Sequence, residues 1–245
     1  MSILIGILAL QGDFSEHKNK LEALDSQCKT CLVRYPEQLA DLDALVIPGG
    51  ESTAIARLTD EGTAPIFGAI QKRIGEGMPV WGTCMGSIFL AKEIEGSSQG
   101  RLAAMDIKVR RNAFGPQRHS FEVDLPIKFD GLEDSKNPYP CVFIRAPLFL
   151  TVGEKVEVLC TLPPSAGAFA SGIVMARQDN LLVTAFHPEL TSDSRVHKYF
   201  LDMVTAKTLT TVSATVSATV SPTVSPTVKQ SPKASVKSSA PAPVR

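Results

Sequence analysis

The chain has 245 residues, with 25 basic and 25 acidic side chains, and its formal net charge is zero. The charge is uneven, because residues 203–245 hold five basic and no acidic side chains and the preceding part carries a net charge of −5. An acidic main portion argues against a nucleic-acid partner. The longest apolar runs are too short to span a membrane, and segment 3–10 lacks the basic flank of a signal peptide, so we expect a cytoplasmic protein without membrane association.

Apolar and amphipathic segments alternate along the chain, which predicts an α/β fold with a mostly parallel sheet flanked by helices. The first half is predicted to contain four strands, at 3–10, 30–33, 44–47 and 80–81, and four helices, at 14–24, 53–58, 66–74 and 87–93. The second half is predicted to contain shorter strands, at 107–109, 120–123, 142–144, 156–159, 173–177 and 181–186, and a closing helix at 194–204. Ligands bind at the carboxyl ends of parallel strands, so residues that follow strands are the first candidates for a site.

The five cysteines are an odd number, which suits a reducing compartment better than a disulfide framework. Cys28 and Cys31 have CxxC spacing, but they lead into the second predicted strand, whereas a redox pair begins a helix after a strand. A zinc site would need another Cys or His pair at a suitable spacing, and the sequence offers none. We therefore interpret these two cysteines as incidental residues.

The third predicted strand ends in Pro48-Gly49-Gly50, and the polar residues Glu51 and Ser52 follow. Paired glycines leave backbone N–H groups unobstructed, and such a loop suits a developing oxyanion. An ordinary glycine-rich turn between a strand and a helix explains the segment equally well. It is not a nucleotide-binding P-loop, because the Gly-Lys-Ser/Thr ending is missing.

The segment Gly82-Thr83-Cys84-Met85-Gly86 lies between an apolar run and a helical pattern. A G-x-C-x-G sequence at such a junction is the cysteine form of the nucleophile elbow. The flanking glycines permit a tight turn that presents the central side chain at a helix start, where backbone N–H groups favour an anion. Cys84 is therefore a candidate nucleophile, although a small buried cysteine would also fit the pentapeptide taken alone.

The last predicted strand leads into His187-Pro188-Glu189. Two residues apart in extended chain, His187 and Glu189 can point the same way. A carboxylate so placed accepts the imidazole N–H and leaves the other ring nitrogen free to face a thiol. The other three histidines lack such a setting: His17 is on a predicted amphipathic helix, His119 in a polar loop and His197 on the closing helix.

Together these motifs resemble class I glutamine amidotransferases, and more closely the glutaminase subunits of pyridoxal 5′-phosphate synthases. The resemblance spans residue 1 to about residue 205 and rests on six segments in the right order and at compatible spacings. The segments are 5–12, 48–52, 82–86, 111–115, 143–147 and 186–191. It implies the flavodoxin-like three-layer fold of that superfamily.

The resemblance also implies a role for each motif. Cys84 would attack the side-chain amide of L-glutamine, His187 would act as general base and then as acid, and Glu189 would orient His187. The oxyanion would rest on backbone N–H groups of Gly49, Gly50 and Met85. The reaction would release L-glutamate and ammonia through a thioester on Cys84, with no metal and no cofactor.

The residues implied to hold L-glutamine come from three segments. They are Gly50, Glu51, Ser52, Arg111, Ile144 and Arg145. A guanidinium suits the acidic part of the substrate, but the sequence does not show which arginine touches it. Gln11, at the end of the first predicted strand, would lie near the site and near the interface with a partner.

The implied partner is a (β/α)8-barrel synthase subunit, which would use the ammonia to make pyridoxal 5′-phosphate. Two alternatives remain open: a glutaminase that serves another synthase, such as that of imidazole glycerol phosphate synthesis, and a non-catalytic binding subunit of the same fold. Two positions depart from the family pattern. Met85 stands where alanine is usual, beside the oxyanion loop, and Pro116 stands where arginine is usual.

The sequence predicts a glutaminase domain over residues 1–207 and a disordered tail over residues 208–245. From Thr211 the chain repeats Thr-Val-Ser-Ala or Thr-Val-Ser-Pro, and a stretch rich in Lys, Ser, Pro and Ala follows. The tail has no aromatic residue, so it can bury little surface to offset its chain entropy. Its Ser-Pro content permits phosphorylation, which composition alone does not show.

Overall fold

The computed structural model describes residues 2–50, 64–115, 120–129, 132 and 136–219. Two predicted glutamine-binding residues, Glu51 and Ser52, lie outside these ranges, as does the predicted helix at 53–58. The departure at Pro116 and residues 220–245 of the predicted tail also lie outside them.

Within these ranges the chain forms twelve β-strands, four α-helices and three short 3-10 turns. The strands are β1 (Ile3–Leu8), β2 (Cys28–Val33), β3 (Ala44–Ile47), β4 (Val80–Thr83), β5 (Ala91–Ile94), β6 (Met105–Arg110), β7 (Phe121–Leu125), β8 (Tyr139–Phe143), β9 (Leu148–Val152), β10 (Glu157–Thr161), β11 (Ile173–Gln178) and β12 (Leu181–Thr184). The helices are α1 (Phe14–Leu24), α2 (Ala64–Gly75), α3 (Met85–Leu90) and α4 (Arg195–Thr219). The 3-10 turns are Pro36–Leu39, Pro164–Phe169 and Pro188–Leu190.

Ten of these strands form one sheet, in the order β2-β1-β3-β4-β12-β11-β9-β6-β5, with β10 paired to β11. The run from β2 to β12 is parallel throughout. The pairs of β11 with its neighbours and of β6 with β9 are antiparallel, and β5 pairs with β6 in parallel. The structure confirms the predicted α/β fold with a mostly parallel central sheet and flanking helices.

The central strands are apolar along most of their length, because both faces of the sheet are covered. Every residue of Ala44–Ile47, Val80–Thr83 and Leu181–Thr184 is buried. Continuous apolar runs are typical of parallel strands that have helices on both sides. These strands therefore form the rigid centre from which the neighbouring loops project.

Two helix pairs cover the sheet. Trp81 of β4 contacts the rings of His17 on α1 and of His197 and Phe200 on α4. The rings of Phe67 on α2 and Phe89 on α3 lie 5.1 Å apart. No α-helix in the described part of the chain has both the length and the apolar character needed to cross a membrane.

The structure corrects the prediction after the elbow, where a helix was expected at 87–93. Helix α3 ends at Leu90, and the backbone of Ala91 is extended (φ −63°, ψ 141°). Residues Ala91–Ile94 form β5, which pairs with β6. Pairing with another strand overrides the local helical preference of Ala91–Ile94. Strand β9 was also not predicted from the sequence, because the strand character of that segment likewise comes from pairing with distant strands.

The closing helix is longer than predicted. Helix α4 begins at Arg195 and ends at Thr219, so residues 208–219 are helical although disorder was predicted for them. The boundary between domain and tail stays a prediction. The remaining predicted elements in the described ranges exist, with ends that differ by a few residues, as helix and strand ends commonly do.

The sheet order places the predicted site motifs next to one another. Strand β4 pairs in parallel with β3 on one side and with β12 on the other. The loops that follow these three strands contain Cys84 after β4, Gly49 after β3 and His187 after β12. Because carboxyl ends of parallel neighbours meet at one edge, three motifs that are distant in sequence converge there.

The turn after β4 makes Gly86 intolerant of any side chain. A Cβ at Gly86 would lie 2.0 Å from the carbonyl oxygen of Ile47, whereas a Cβ at Gly68 on α2 would meet nothing within 4 Å. We expect Gly86→Ala to lower the free energy of unfolding by about 1–3 kcal/mol, because backbone must move to relieve the clash. Gly68→Ala, the matched control, should raise it by about 0.4–1 kcal/mol. Urea denaturation measures both, and equal effects would contradict the close packing of Gly86 against Ile47.

Candidate active site

Cys84 occupies a strained turn between β4 and α3. Its backbone has φ 45° and ψ −104°, a region that side-chain-bearing residues rarely adopt. Hydrogen bonds hold the turn on both sides: the Cys84 N–H donates to the Thr184 carbonyl at 2.8 Å, and the Ser87 hydroxyl donates to the Cys84 carbonyl at 2.5 Å. Strain of this kind costs about 1–3 kcal/mol and persists only where the surroundings determine it.

His187 lies directly across from this turn, at the end of the neighbouring strand. The backbone N–H of His187 donates to the Val142 carbonyl at 2.8 Å. Pro188 then begins a 3-10 turn that contains Glu189. The His187 Nδ1 and Glu189 Oε1 atoms are 2.6 Å apart, and both side chains are buried. Since Nδ1 faces the carboxylate, Nε2 is the ring nitrogen left to act on Cys84.

The electrostatics of His187 and Glu189 favour a protonated ring beside an ionised carboxylate. Burial disfavours charge on His187, but hydrogen bonds to Cys84 and Glu189 and the charges of both groups outweigh it, so the pKa of His187 is raised. Burial also disfavours the Glu189 carboxylate, but the nearby His17 and His187 rings outweigh it and lower the pKa of Glu189. The Cys84 side chain therefore lies beside an imidazole ring whose protonated form is favoured.

A cavity of about 300 Å³ opens beside Cys84. Its walls contain seven of the predicted site residues together with four that were not predicted. The predicted ones are Gly50, Cys84, Met85, Arg111, Ile144, Arg145 and His187, and the others are Asp13, Ile88, Asn112 and Leu190. The volume and the mixture of apolar and charged walls suit a small polar molecule.

Both predicted arginines line this cavity. The Arg111 guanidinium donates from Nη1 to Gln99 Oε1 at 2.8 Å, which fixes its direction. Arg145 has a positive φ of 47°, and the preceding Ile144 carbonyl accepts a weak hydrogen bond from Cys84 Sγ at 3.9 Å. The cavity therefore has a thiol and two guanidinium groups in its walls.

The glycine loop after β3 approaches the same site. A Cβ at Gly49 would lie 2.6 Å from His187 Cε1 and 3.4 Å from Cys84 Cβ. Gly50 has φ 142°, and a Cβ there would lie 2.1 Å from Gln11 Oε1. Only glycine fits at Gly50, and Gln11 packs directly on the loop that was predicted to hold the oxyanion.

Sequence reasoning missed three side chains, Asp13, His17 and His197, that lie near the His187–Glu189 pair or contact a residue that does. Asp13 Oδ2 lies 3.7 Å from His187 Nδ1. The pKa of Asp13 is raised, mainly by burial and to a lesser extent by repulsion from the Glu189 carboxylate. His17 Nε2 lies 3.4 Å from Glu189 Oε2, and His17 Nδ1 lies 3.0 Å from His197 Nε2. The i,i+4 spacing of His17 and Leu21 was the available signal, because both lie on the buried face of α1.

Asp13, His187 and Glu189 also form a group that could hold a metal ion, with donor atoms within 4.8 Å of one another. The hydrogen bond between His187 Nδ1 and Glu189 Oε1 uses two of the atoms that such an ion would need.

Cys28 and Cys31 both lie on β2 and have free thiols. Their odd spacing puts them on opposite faces of the strand, which does not suit a redox pair.

Comparison with known proteins gives matches along most of the chain. The model of the SNO glutamine amidotransferase family matches residues 7–206. A protein of Carboxydothermus hydrogenoformans named pyridoxal 5′-phosphate synthase subunit PdxT is 50% identical over 200 residues, which cover 82% of this chain and 97% of that protein. A protein of the same name from Pelotomaculum thermopropionicum is 51% identical over 198 residues, covering 81% of this chain and 93% of that protein.

A solved structure described as a glutamine amidotransferase is also similar. It has 46% sequence identity and a TM-score of 0.70, and the match covers 82% of this chain and 98% of that chain. These matches confirm the resemblance drawn from the six sequence segments. The chain belongs to the SNO glutamine amidotransferase family.

Proposed function

We propose that the chain is the glutaminase subunit of a pyridoxal 5′-phosphate synthase and that it hydrolyses L-glutamine to L-glutamate and ammonia for vitamin B6 biosynthesis. The observation that carries the proposal is the juxtaposition of Cys84, in its strained turn, with a buried His187 whose other nitrogen is 2.6 Å from Glu189. Relatives that are about half identical to the chain and are named as subunits of that synthase support the substrate and the pathway.

The first half of the reaction forms a thioester. The Cys84 thiolate attacks the side-chain amide carbon, so a C–S bond forms and the carbonyl oxygen becomes an oxyanion. Backbone N–H groups of Met85 and of the Gly49-Gly50 loop stabilise that charge, and each such donor is worth about 2.7–4 kcal/mol in comparable sites. His187 gives its proton to the leaving nitrogen, the C–N bond breaks and ammonia departs.

The second half returns the enzyme to its starting state. Water attacks the thioester carbon while His187 accepts its proton, and the C–S bond then breaks to release L-glutamate and the thiolate. Glu189 accepts the Nδ1–H of His187 throughout, so Nε2 stays directed at the reacting atoms. No metal and no cofactor takes part in either half.

The charged walls of the cavity account for substrate binding. The Arg111 and Arg145 guanidinium groups hold the α-carboxylate of L-glutamine, and Gly50 and Ile144 contribute the backbone around its side chain. Glu51 and Ser52 complete the binding loop. Met85 is buried and lines the cavity, yet about 300 Å³ of space remains, which argues against an inert subunit blocked by this residue.

The ammonia passes to a (β/α)8-barrel synthase subunit in the cytoplasm. Gln11 packs on Gly50, so a partner that docks against Gln11 would influence the Gly49-Gly50 loop and glutaminase activity through this contact. A synthase of another pathway is the second candidate for the partner. The relatives named as pyridoxal 5′-phosphate synthase subunits favour the first.

Cys84→Ala separates the two activities of the complex. We expect no glutamine-dependent synthesis of pyridoxal 5′-phosphate, because the thioester cannot form, and unchanged synthesis from added ammonium, because the barrel subunit does that step alone. Cys31→Ser, on the half-buried side of β2, is the matched control and should retain both activities. Loss of both activities in Cys84→Ala would contradict the proposed division of labour.

Arg111→Gln tests the binding of the α-carboxylate. We expect KM for L-glutamine to rise by about tenfold with kcat nearly unchanged, because the lost hydrogen bond holds substrate and transition state alike. Arg110→Gln is the matched control, since the Arg110 guanidinium pairs with Glu95 at the exposed surface. An equal rise in KM for both variants, measured by steady-state glutamate release, would refute a specific role for Arg111.

A further inference from the structure

A buried polar cluster lies behind the Cys84–His187 pair. Its members are His17, Thr83, Glu189 and His197, which come from α1, β4, the Pro188–Leu190 turn and α4. The side chains of His17 and Glu189 are fully buried, and so are the residues Thr83 and His197. Buried polar groups are costly unless they are paired, so the pairing within this cluster is informative.

Glu189 has a second carboxylate oxygen that the pair with His187 does not use. Oε1 accepts from His187, but Oε2 is buried and makes no regular hydrogen bond within the described residues. The candidate donor is His17 Nε2, at 3.4 Å, which is the long end of hydrogen-bonding distance. Without a donor for Oε2, the Glu189 carboxylate could rotate to bring Oε2 to another hydrogen-bond donor. That rotation would move Oε1 away from His187.

The ring nitrogens of His17 and His197 allow only one favourable arrangement of protons. Burial is the largest influence on both rings and lowers the pKa of each, which favours the neutral form of each ring, with one N–H. If His17 carries its proton on Nε2, Glu189 Oε2 is a charged acceptor 3.4 Å from that nitrogen, and His17 Nδ1 accepts from His197 Nε2–H at 3.0 Å. His197 Nδ1 is then a lone pair, which agrees with the absence of any partner for that atom in the described part of the chain.

The opposite arrangement is unfavourable at both ends. A proton on His17 Nδ1 would place the Nε2 lone pair 3.4 Å from Glu189 Oε2, and although the Thr83 hydroxyl could donate to that lone pair, Oε2 would face it without a donor from His17. It would also move the His197 proton to Nδ1, where no acceptor lies among the described residues. Each end would then leave a buried polar group unpaired or repelled, which disfavours this arrangement.

The surroundings of His17 hold its ring in this orientation. Thr83, which precedes Cys84 in the sequence, has its Oγ1 atom 3.4 Å from His17 Nε2. The Trp81 ring packs edge-on against the His17 ring, with ring centroids 5.2 Å apart. The charged groups that act on His17 are Glu189 and His187 from the opposite turn and Glu16 and Lys20 from its own helix. Burial outweighs all of them.

We propose that His17 is a positioning residue for Cys84 and His187: its Nε2–H donates to Glu189 Oε2 and fixes the carboxylate so that Oε1 keeps His187 directed at the thiol. His197 supports this role, because its Nε2–H sets the tautomer of His17. The inference rests on the proposed function for its consequence in catalysis. The arrangement of protons can be tested without any enzymatic activity.

The first test is ¹⁵N NMR of the histidine side chains in the unmodified full-length chain. The four histidines are assigned with single His→Gln variants. We expect His17 to be neutral and protonated on Nε2, with Nδ1 in the range of an acceptor nitrogen. A proton on His17 Nδ1 would overturn the inference, whether or not the protein hydrolyses glutamine. This test also stands if a variant of His17 fails to fold.

The second test compares two substitutions of His17 in the complex with a barrel synthase subunit. His17→Leu removes the donor, and we expect kcat for glutamate release to fall roughly tenfold with KM for L-glutamine unchanged. His17→Gln restores an N–H donor at a similar distance and should recover most of the lost kcat. Equal kcat values for His17→Leu and the unmodified chain would overturn the inference, as would a His17→Gln variant no better than His17→Leu.

Leu21→Ala is the matched control for these substitutions. Leu21 is fully buried one turn along α1 from His17 and is not part of the polar cluster. Its substitution should lower the melting temperature by several degrees while leaving kcat unchanged. A fall in kcat equal to that of His17→Leu would mean that loosening of α1 suffices, which would contradict a specific role for the His17 donor. Absence of glutamate release from the unmodified complex would instead refute the proposed function, and the NMR result would still decide the tautomer.

Discussion

The parallel pairing of β4 with β12 is the interaction on which the site depends. Thr83 and Thr184 are partners at the ends of these strands, and the next N–H, that of Cys84, donates to the Thr184 carbonyl at 2.8 Å. The same pairing sets where the chain leaves β12 and therefore where His187 begins. A thiol and an imidazole that are far apart in sequence are thus placed by the regular geometry of one strand pair.

The residues of the site that oppose folding lie beside fully buried strands of the sheet. The positive φ of Cys84, the close approach of Gly86 to Ile47 and the buried Glu189 carboxylate each oppose folding when taken alone. Fully buried strands on both sides of the elbow hold them in place. Such an arrangement exchanges stability for a preorganised cysteine, histidine and carboxylate, as the proposed roles of these three groups require.

Local patterns predicted the turn after β4 and the end of β12 well, and they failed where contacts between distant segments decide the structure. The glycines around Cys84 and the proline after His187 indicate a turn and a strand end, so these motifs could be placed from sequence. The fold of Ala91–Ile94 could not, because its strand character comes from pairing with β6. His17 and His197 looked like ordinary helix residues, since their partners are on other elements: His197 contacts His17, and His17 contacts Glu189.

The central claim is that Cys84 is the nucleophile for the side chain of glutamine, and active-site labelling tests it most directly. The full chain, bound to its synthase subunit, is treated with 6-diazo-5-oxo-L-norleucine, and the five cysteines are examined by peptide mass spectrometry. The account predicts one adduct, on Cys84, whose formation L-glutamine slows and His187→Ala abolishes. An unlabelled Cys84 under these conditions, or equal labelling of the other cysteines, would contradict it.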